Sequence, residues 1–170
     1  ADVYERIRRG ADFKKLCQNI AGISELRTDK TPLIMINFVM MSENVNHLEQ
    51  IVLLAAELGV DQINFKQCDV VRGEHGRDYG LFASKETREI RRIMKVLRKA
   101  RRLAKKLKIQ TTAFSFIPAE LPVCAQDPRD SLFVRHDGRV APCINLAMGG
   151  EASFLGESVI MPTVHYGSLP

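Results

Sequence analysis

Residues 33–67, LIMINFVMMSENVNHLEQIVLLAAELGVDQINFKQ, decide the fold. They open with an apolar run from Leu33 to Met41, rich in Ile and Met and interrupted by Asn37. A short continuous run of this kind suits a strand buried on both faces of a parallel sheet. Ser42 to Asn46 is a polar link able to cap a helix. Leu48, Ile51, Val52, Ala55 and Leu58 then recur at three- and four-residue steps, which predicts a helix from about Val45 to Leu58, ended by Gly59. Asp61 to Gln67 predicts a second buried strand.

The same alternation continues outward. Upstream, Phe13, Leu16, Ile20, Ile23 and Leu26 mark a helix over Asp12 to Leu26, broken by Asp29-Lys30-Thr31-Pro32. Downstream, residues 69–83, DVVRGEHGRDYGLFA, read as a glycine-rich loop, longer than usual between a strand and a helix and so a place for function. Ser84 caps a long helix with the apolar stripe Ile90, Ile93, Met94, Leu97, Ala100, Ala104 and Leu107. Ile109 to Phe116 predicts a third strand, and Pro118 and Pro122 mark a boundary. Strands alternating with helices predict an α/β fold with a parallel sheet. Three strands are too few for a complete barrel or doubly wound sheet, so the chain reads as part of something larger.

Composition bounds the function. Of 170 residues, 45% are hydrophobic and 26% charged, enough for a real core without disulfide staples. No apolar run reaches the roughly 18 residues of a membrane span. The first ten residues, ADVYERIRRG, do not read as a signal peptide, so the expected compartment is the cytoplasm. The net charge of +5 is unevenly placed: Ser84 to Lys108 carries twelve Lys or Arg against two Glu, a local +10, leaving −5 elsewhere. That pattern favours one solvated basic helix over a nucleic-acid-binding protein.

Cysteines stand at 17, 68, 124 and 143, with no CxxC pair. Cys17 and Cys68 read as reduced, half-structural thiols. Cys124 and Cys143 differ. Ser131 to Arg135 and Arg139 to Ala141 are short extended segments, and His136-Asp137-Gly138 between them signals a hairpin. A cysteine on either side of this hairpin brings two thiolates towards one end, half of a four-cysteine metal site. Met148 to Pro170 reads as an irregular, glycine-rich tail of a small module without an obvious core.

These residues resemble a family. Cys-x13-Gly-x4-Cys, ending in Asp137-Gly138-Arg139-Val140-Ala141-Pro142-Cys143, resembles the start of the SPASM domain, and of the related twitch domain, of radical S-adenosylmethionine enzymes. Tyr166-Gly167-Ser168-Leu169 is similar to the "FGN-hydrophobic" segment that follows this hairpin. Residues 4–13, YERIRRGADF, resemble the stretch after the third barrel strand, and residues 59–65, GVDQINF, the approach to the fifth.

The resemblance implies strands four to six of a partial (β/α)6 TIM barrel over residues 1–118, then the opening of an auxiliary iron–sulfur module over 119–170. It implies that the three radical-cluster cysteines, Cys-x3-Cys-x2-Cys, lie upstream, so no catalytic cysteine is assigned here. It implies a 4Fe-4S cluster that reduces S-adenosylmethionine to methionine and a 5′-deoxyadenosyl radical for hydrogen abstraction. It further implies a peptide or protein substrate, or a cofactor under maturation, and an electron donor such as ferredoxin or flavodoxin. By the same resemblance, Arg8, or its neighbour Arg9, matches an arginine that meets the S-adenosylmethionine carboxylate, the alternative being a surface arginine in a basic stretch, and Cys124 and Cys143 are ligands of the auxiliary cluster.

Other candidates come from the residues themselves. Asn37 interrupts an apolar strand and needs partners, either in the core or in a ligand. Asn64 and Gln67 carry the same argument, with Gln67 favoured because sites in barrels lie at the C-terminal ends of strands. His75, His136 and His165 read as surface residues, although His136 or His165 with the two thiols would suit zinc. The competing readings are a metal-binding module or a nucleic-acid-binding module without catalysis. Exposed edges of so short a sheet predict self-association.

Overall fold

The computed structural model describes residues 1–68, 70–72, 81, 87–113, 116, 127, 129–154 and 157–169. The predicted order is present at its centre. Strand β1 (Met35–Met40), helix α3 (Leu48–Glu57), strand β2 (Gln62–Gln67), helix α4 (Thr87–Lys106) and strand β4 (Gln110–Ala113) follow one another. Before them come α1 (Asp2–Ile7) and α2 (Phe13–Leu26). The three strands form a parallel sheet in sequential order, β1-β2-β4.

Both helices pack on one face of this sheet. Ile63 and Phe65 of β2 and Met40 of β1 are fully buried against Leu48, Val52 and Ala55 of α3 and Ile93, Leu97, Ala100 and Ala104 of α4. The alternation of a strand puts the other residues on the opposite face. There Met35, Asn37 and Thr112 are exposed. The expected two-sided burial of β1 is therefore corrected: its sequence is apolar on both sides, but among the described residues the helices cover only one face of the sheet.

Two helix ends show why the chain turns where it does. Gly59 (φ +70) follows α3, with Gly59 N–H donating to Ala56 and Val60 N–H to Ala55, a Schellman motif. Lys108 (φ +59) repeats the motif after α4, with bonds to Lys105 and from Ile109 to Ala104. Asn44, buried, joins β1 to the 3-10 turn Val45–His47: its carbonyl accepts from Met41 N–H at 2.8 Å and its amide donates to the Val39 carbonyl at 2.9 Å. Helix α2 is capped by Asp12 as the sequence suggests, yet it buries no residue, and Ile23 and Leu26 of its apolar stripe stay exposed.

The second module is more ordered than expected. β5 (Phe133–Val134) and β6 (Arg139–Ala141) form the predicted hairpin, closed at Gly138 (φ +81). The tail is not irregular. It contains α5 (Ile144–Met148), a hairpin of β7 (Gly150–Phe154) and β8 (Glu157–Met161), and β9 (Gly167–Ser168), which pairs with β6. The long loop also holds a strand, β3 (Val70–Arg72), antiparallel to β7. Residues before and after the expected boundary at 118/119 therefore share one sheet, β3-β7-β8. The boundary itself lies outside the described residues, as do Cys124, His75, Ser84, Pro118 and Pro122.

Candidate functional site

The open face of the parallel sheet carries a polar ladder. Asn37, Asn64 and Thr112 are register neighbours across the three strands. Asn64 sits at the centre. Its Nδ2 donates to Asn37 Oδ1 at 3.1 Å and to Met35 Sδ at 2.7 Å. Its Oδ1 accepts from Gln62 Nε2 at 2.8 Å and from Thr112 Oγ1 at 2.6 Å. An amide held from four sides has a fixed orientation. The ladder fixes Asn37 Oδ1 as an acceptor, and Asn37 is exposed on the open face. Lys66, exposed and two residues beyond Asn64, adds a cation on the same side.

This set of neutral donors and acceptors beside one cation can bind and orient a polar or carboxylate-bearing ligand. It holds no carboxylate or imidazole among Met35, Asn37, Gln62, Asn64, Lys66 and Thr112, so it offers no general acid or base near neutral pH. The sequence pointed to Asn37 and weighed Asn64, but favoured Gln67. The structure places Gln67 opposite Met40 on the helix-covered face, away from Asn37. The two-residue period Gln62-Asn64-Lys66 against Ile63-Phe65 was the signal that separates them, and Thr112 follows from the same register. Arg8 is exposed at the C-terminus of α1, where its N–H donates to the Tyr4 carbonyl, and no bond joins it to the ladder among the described residues.

The second module centres on the hairpin. Asp137 takes Arg139 at 2.7 Å and Arg135 at 3.3 Å, and these guanidiniums hold its carboxyl down to about 2. Arg135 also donates to the Ala147 carbonyl at 2.9 Å, tying the turn to α5. The Leu169 N–H donates to the Gly138 carbonyl at 2.9 Å, so β9 seals the turn from the other side. A side chain at Gly138 would press on the Leu169 carbonyl at 3.4 Å.

Cys143, a half-buried free thiol, is the N-cap of α5 and lies where β6 passes into that helix. His165 lies beside this passage: Val164 N–H bonds Leu146 and Tyr166 N–H bonds Val140. His165 Nε2 is buried without a partner, as is Arg135 Nε. Yet among the described residues no three His, Cys, Asp or Glu side chains converge. The described residues thus do not by themselves make up an iron–sulfur ligand set. Cys17 is a half-buried thiol of α2, and burial pushes its pKa up, away from the thiolate a metal needs. Cys68 is half-buried directly after β2. His136 is exposed at the hairpin tip.

Fold and sites together define a mixed α/β protein, with one parallel sheet and two small antiparallel ones among the described residues. Among the described residues no helix is long and apolar enough to cross a membrane. No protein-family model matches the chain, and no curated protein matches it.

Proposed function

We propose that this chain is part of a radical S-adenosylmethionine oxidoreductase: strands four to six of its partial barrel, followed by the opening of a SPASM- or twitch-type auxiliary module. The observation that carries this reading is the joining of two sequence segments that resemble the family. Asp137-Gly138-Arg139-Val140 and Tyr166-Gly167-Ser168-Leu169 lie side by side in one sheet, with backbone bonds at Tyr166–Val140 and Leu169–Gly138. The sequential order β1-β2-β4, with α3 and α4 on one face, is the winding of successive βα units in a barrel, and equally of one half of a doubly wound sheet, so the reading rests on the hairpin segments.

On this reading the ladder of Asn37, Asn64 and Thr112 faces the barrel interior. Asn37 donates to, and Lys66 attracts, the polar end of S-adenosylmethionine. When bound, the reduced cluster and S-adenosylmethionine supply the radical, and the protein supplies position and shelter from water. Cys143 contributes one auxiliary thiolate, Cys124 another. The substrate is a peptide, a protein or a cofactor precursor, and the electron donor is a ferredoxin or flavodoxin. The test is anaerobic iron reconstitution of the full-length protein with a strong reductant. Methionine and 5′-deoxyadenosine should form from S-adenosylmethionine; a protein that takes up no iron and cleaves none would overturn the proposal.

A further inference from the structure

A basic groove lies on the helix-covered side of the sheet, away from the polar ladder. It is a shallow space of about 560 Å³ between the last turns of α4 and the start of β4. Arg98, Arg101, Arg102 and Lys105 form one wall, at three- and four-residue steps along α4, and Lys108 closes one end. Buried Ile109 gives an apolar floor, and Gln110 and Thr111 of β4 form the far side.

The charge here is uncompensated. Elsewhere Arg6, Arg27, Arg92, Arg129, Arg135 and Arg139 each meet a carboxylate. No cation of the groove has an ion-pair partner among the described residues. The sequence from Ile90 to Ala119 contains no Asp or Glu at all. Lys105 and Lys106 suit the negative end of the α4 dipole, but that effect fades within about the last turn. Arg98, Arg101 and Arg102 lie earlier: Arg98 Nε donates to the Met94 carbonyl at 3.3 Å and Arg101 Nε to Thr111 Oγ1 at 3.5 Å, and none of the three meets a carboxylate among the described residues.

We propose that this groove binds an acidic, extended segment of a protein partner. Charge calls for a polyanion, and two features favour polypeptide over nucleic acid. The lining has no aromatic side chain on which a base could stack. The absence of an aromatic bears on single strands alone; what separates polypeptide from duplex nucleic acid is that β4 is an edge of its sheet, without a partner strand on its outer side among the described residues. An edge strand offers backbone donors and acceptors that another polypeptide can pair with. The four α4 cations span about 10 Å, the length of about three extended residues, so carboxylates on alternate residues meet guanidinium forks while the backbone runs beside β4.

The test is fluorescence anisotropy with four labelled probes: an alternating Glu-Val peptide, an alternating Glu-Pro peptide of the same length and charge, a Gln-Val peptide, and duplex DNA. The Glu-Val peptide should bind the protein best, and added salt should weaken it. The triple variant R98Q/R101Q/R102Q should lose about tenfold in affinity, a change of about 1.4 kcal/mol. The variant R9Q/K14Q/K15Q, which removes the same charge from exposed sites near α2, should bind as before. Circular dichroism of both variants controls for folding. The proposal is overturned if no acidic peptide binds, if DNA binds more tightly than Glu-Val, if Glu-Pro binds equally well, or if the two triple variants lose affinity alike.

Discussion

Arg27 and Asp61 form an ion pair whose side chains are 8% and 10% exposed, at the point where four elements of the α/β part meet. Arg27 also donates to the Gly59 carbonyl at 2.6 Å, beyond the end of α3. Asp61 accepts from the Ile34 N–H at 2.9 Å, and its backbone carbonyl accepts from Gln110 N–H at 2.9 Å. The pair thus joins the end of α2 to the starts of β1, β2 and β4. It adds a polar anchor for α2, which buries no residue fully and packs on the core through half-buried Ile20 while Ile23 and Leu26 stay exposed.

Removing one partner leaves the other charged and nearly buried. Arg27→Met is expected to destabilise the protein by about 3 kcal/mol, the scale seen when a buried pair is broken. The double variant R27M/D61N should lose clearly less than the two single changes summed. Urea unfolding of all four proteins measures this coupling; additive losses would show the pair to be incidental.

The same contact makes stability depend on pH. The Arg27 side chain, helped by the Ile34 N–H, holds the Asp61 carboxyl below its ordinary 3.8. Between those two values the unfolded chain binds more protons than the folded one. Asp61 therefore stabilises fully above about pH 4, and that contribution is lost as pH falls through its depressed folded value. Asp137, held at about 2, acts in the same window. Unfolding free energy measured from pH 6 down to pH 2 should fall, and D61N should show a shallower but not flat slope.

The two Schellman ends give a pair of opposite effects. Lys108 adopts a left-handed conformation that glycine takes without cost, so Lys108→Gly should stabilise by about 1 kcal/mol. Gly59 has the same conformation, and a side chain there would also run into the Ser24 hydroxyl. Gly59→Ala should destabilise by about 1–2 kcal/mol. Thermal melts of the two variants should move in opposite directions from the parent.

Much of the parallel sheet was legible because period and punctuation agree there. Apolar runs near Phe38 and Phe65, the periodic helix α3 between them, and Gly59 at its end all point to the same arrangement. The sequence was less informative about coverage. Apolar Met35 and Leu33 suggest a second packed layer, but their side of the sheet is open. The long loop and the tail hid their strands for a different reason: Val70–Arg72 in the one and Gly167–Ser168 in the other are too short to show a period, and their pairing partners are distant in sequence. The ladder was half visible, since Asn37 stands out in an apolar run while Thr112 matters only through register. Cys143 could be flagged by spacing, but spacing does not supply the rest of a ligand set.

The ladder predicts separable effects on binding and folding. Asn37 is exposed and Asn64 is the hub, so Asn37→Ala should change stability by less than about 0.5 kcal/mol. On the function proposed above, the same change should weaken S-adenosylmethionine binding by about tenfold, the loss of one hydrogen bond to a charged group. Calorimetric titration beside a urea melt distinguishes the two. Unchanged affinity would move the ligand away from this face.

Arg72 is the bridge between the loop after β2 and the second module, and it predicts a local rather than global defect. Its guanidinium donates to the Gly149 carbonyl and, at 3.1 Å, to the Asn145 carbonyl, so one side chain of β3 holds both the first turn of α5 and the residue that links α5 to β7. The short strand it belongs to has three paired residues, too few to hold β7 by backbone bonds alone. Arg72→Met keeps the aliphatic stem but removes the donors. Amide hydrogen exchange should then rise in Gly150 to Phe154 and in α5, while Ile63 to Phe65, in the core of the parallel sheet, keep their protection. Equal acceleration in both regions would mean that the two sheets unfold as one unit, and that β3 is a structural part of the core instead of a strap across to the second module.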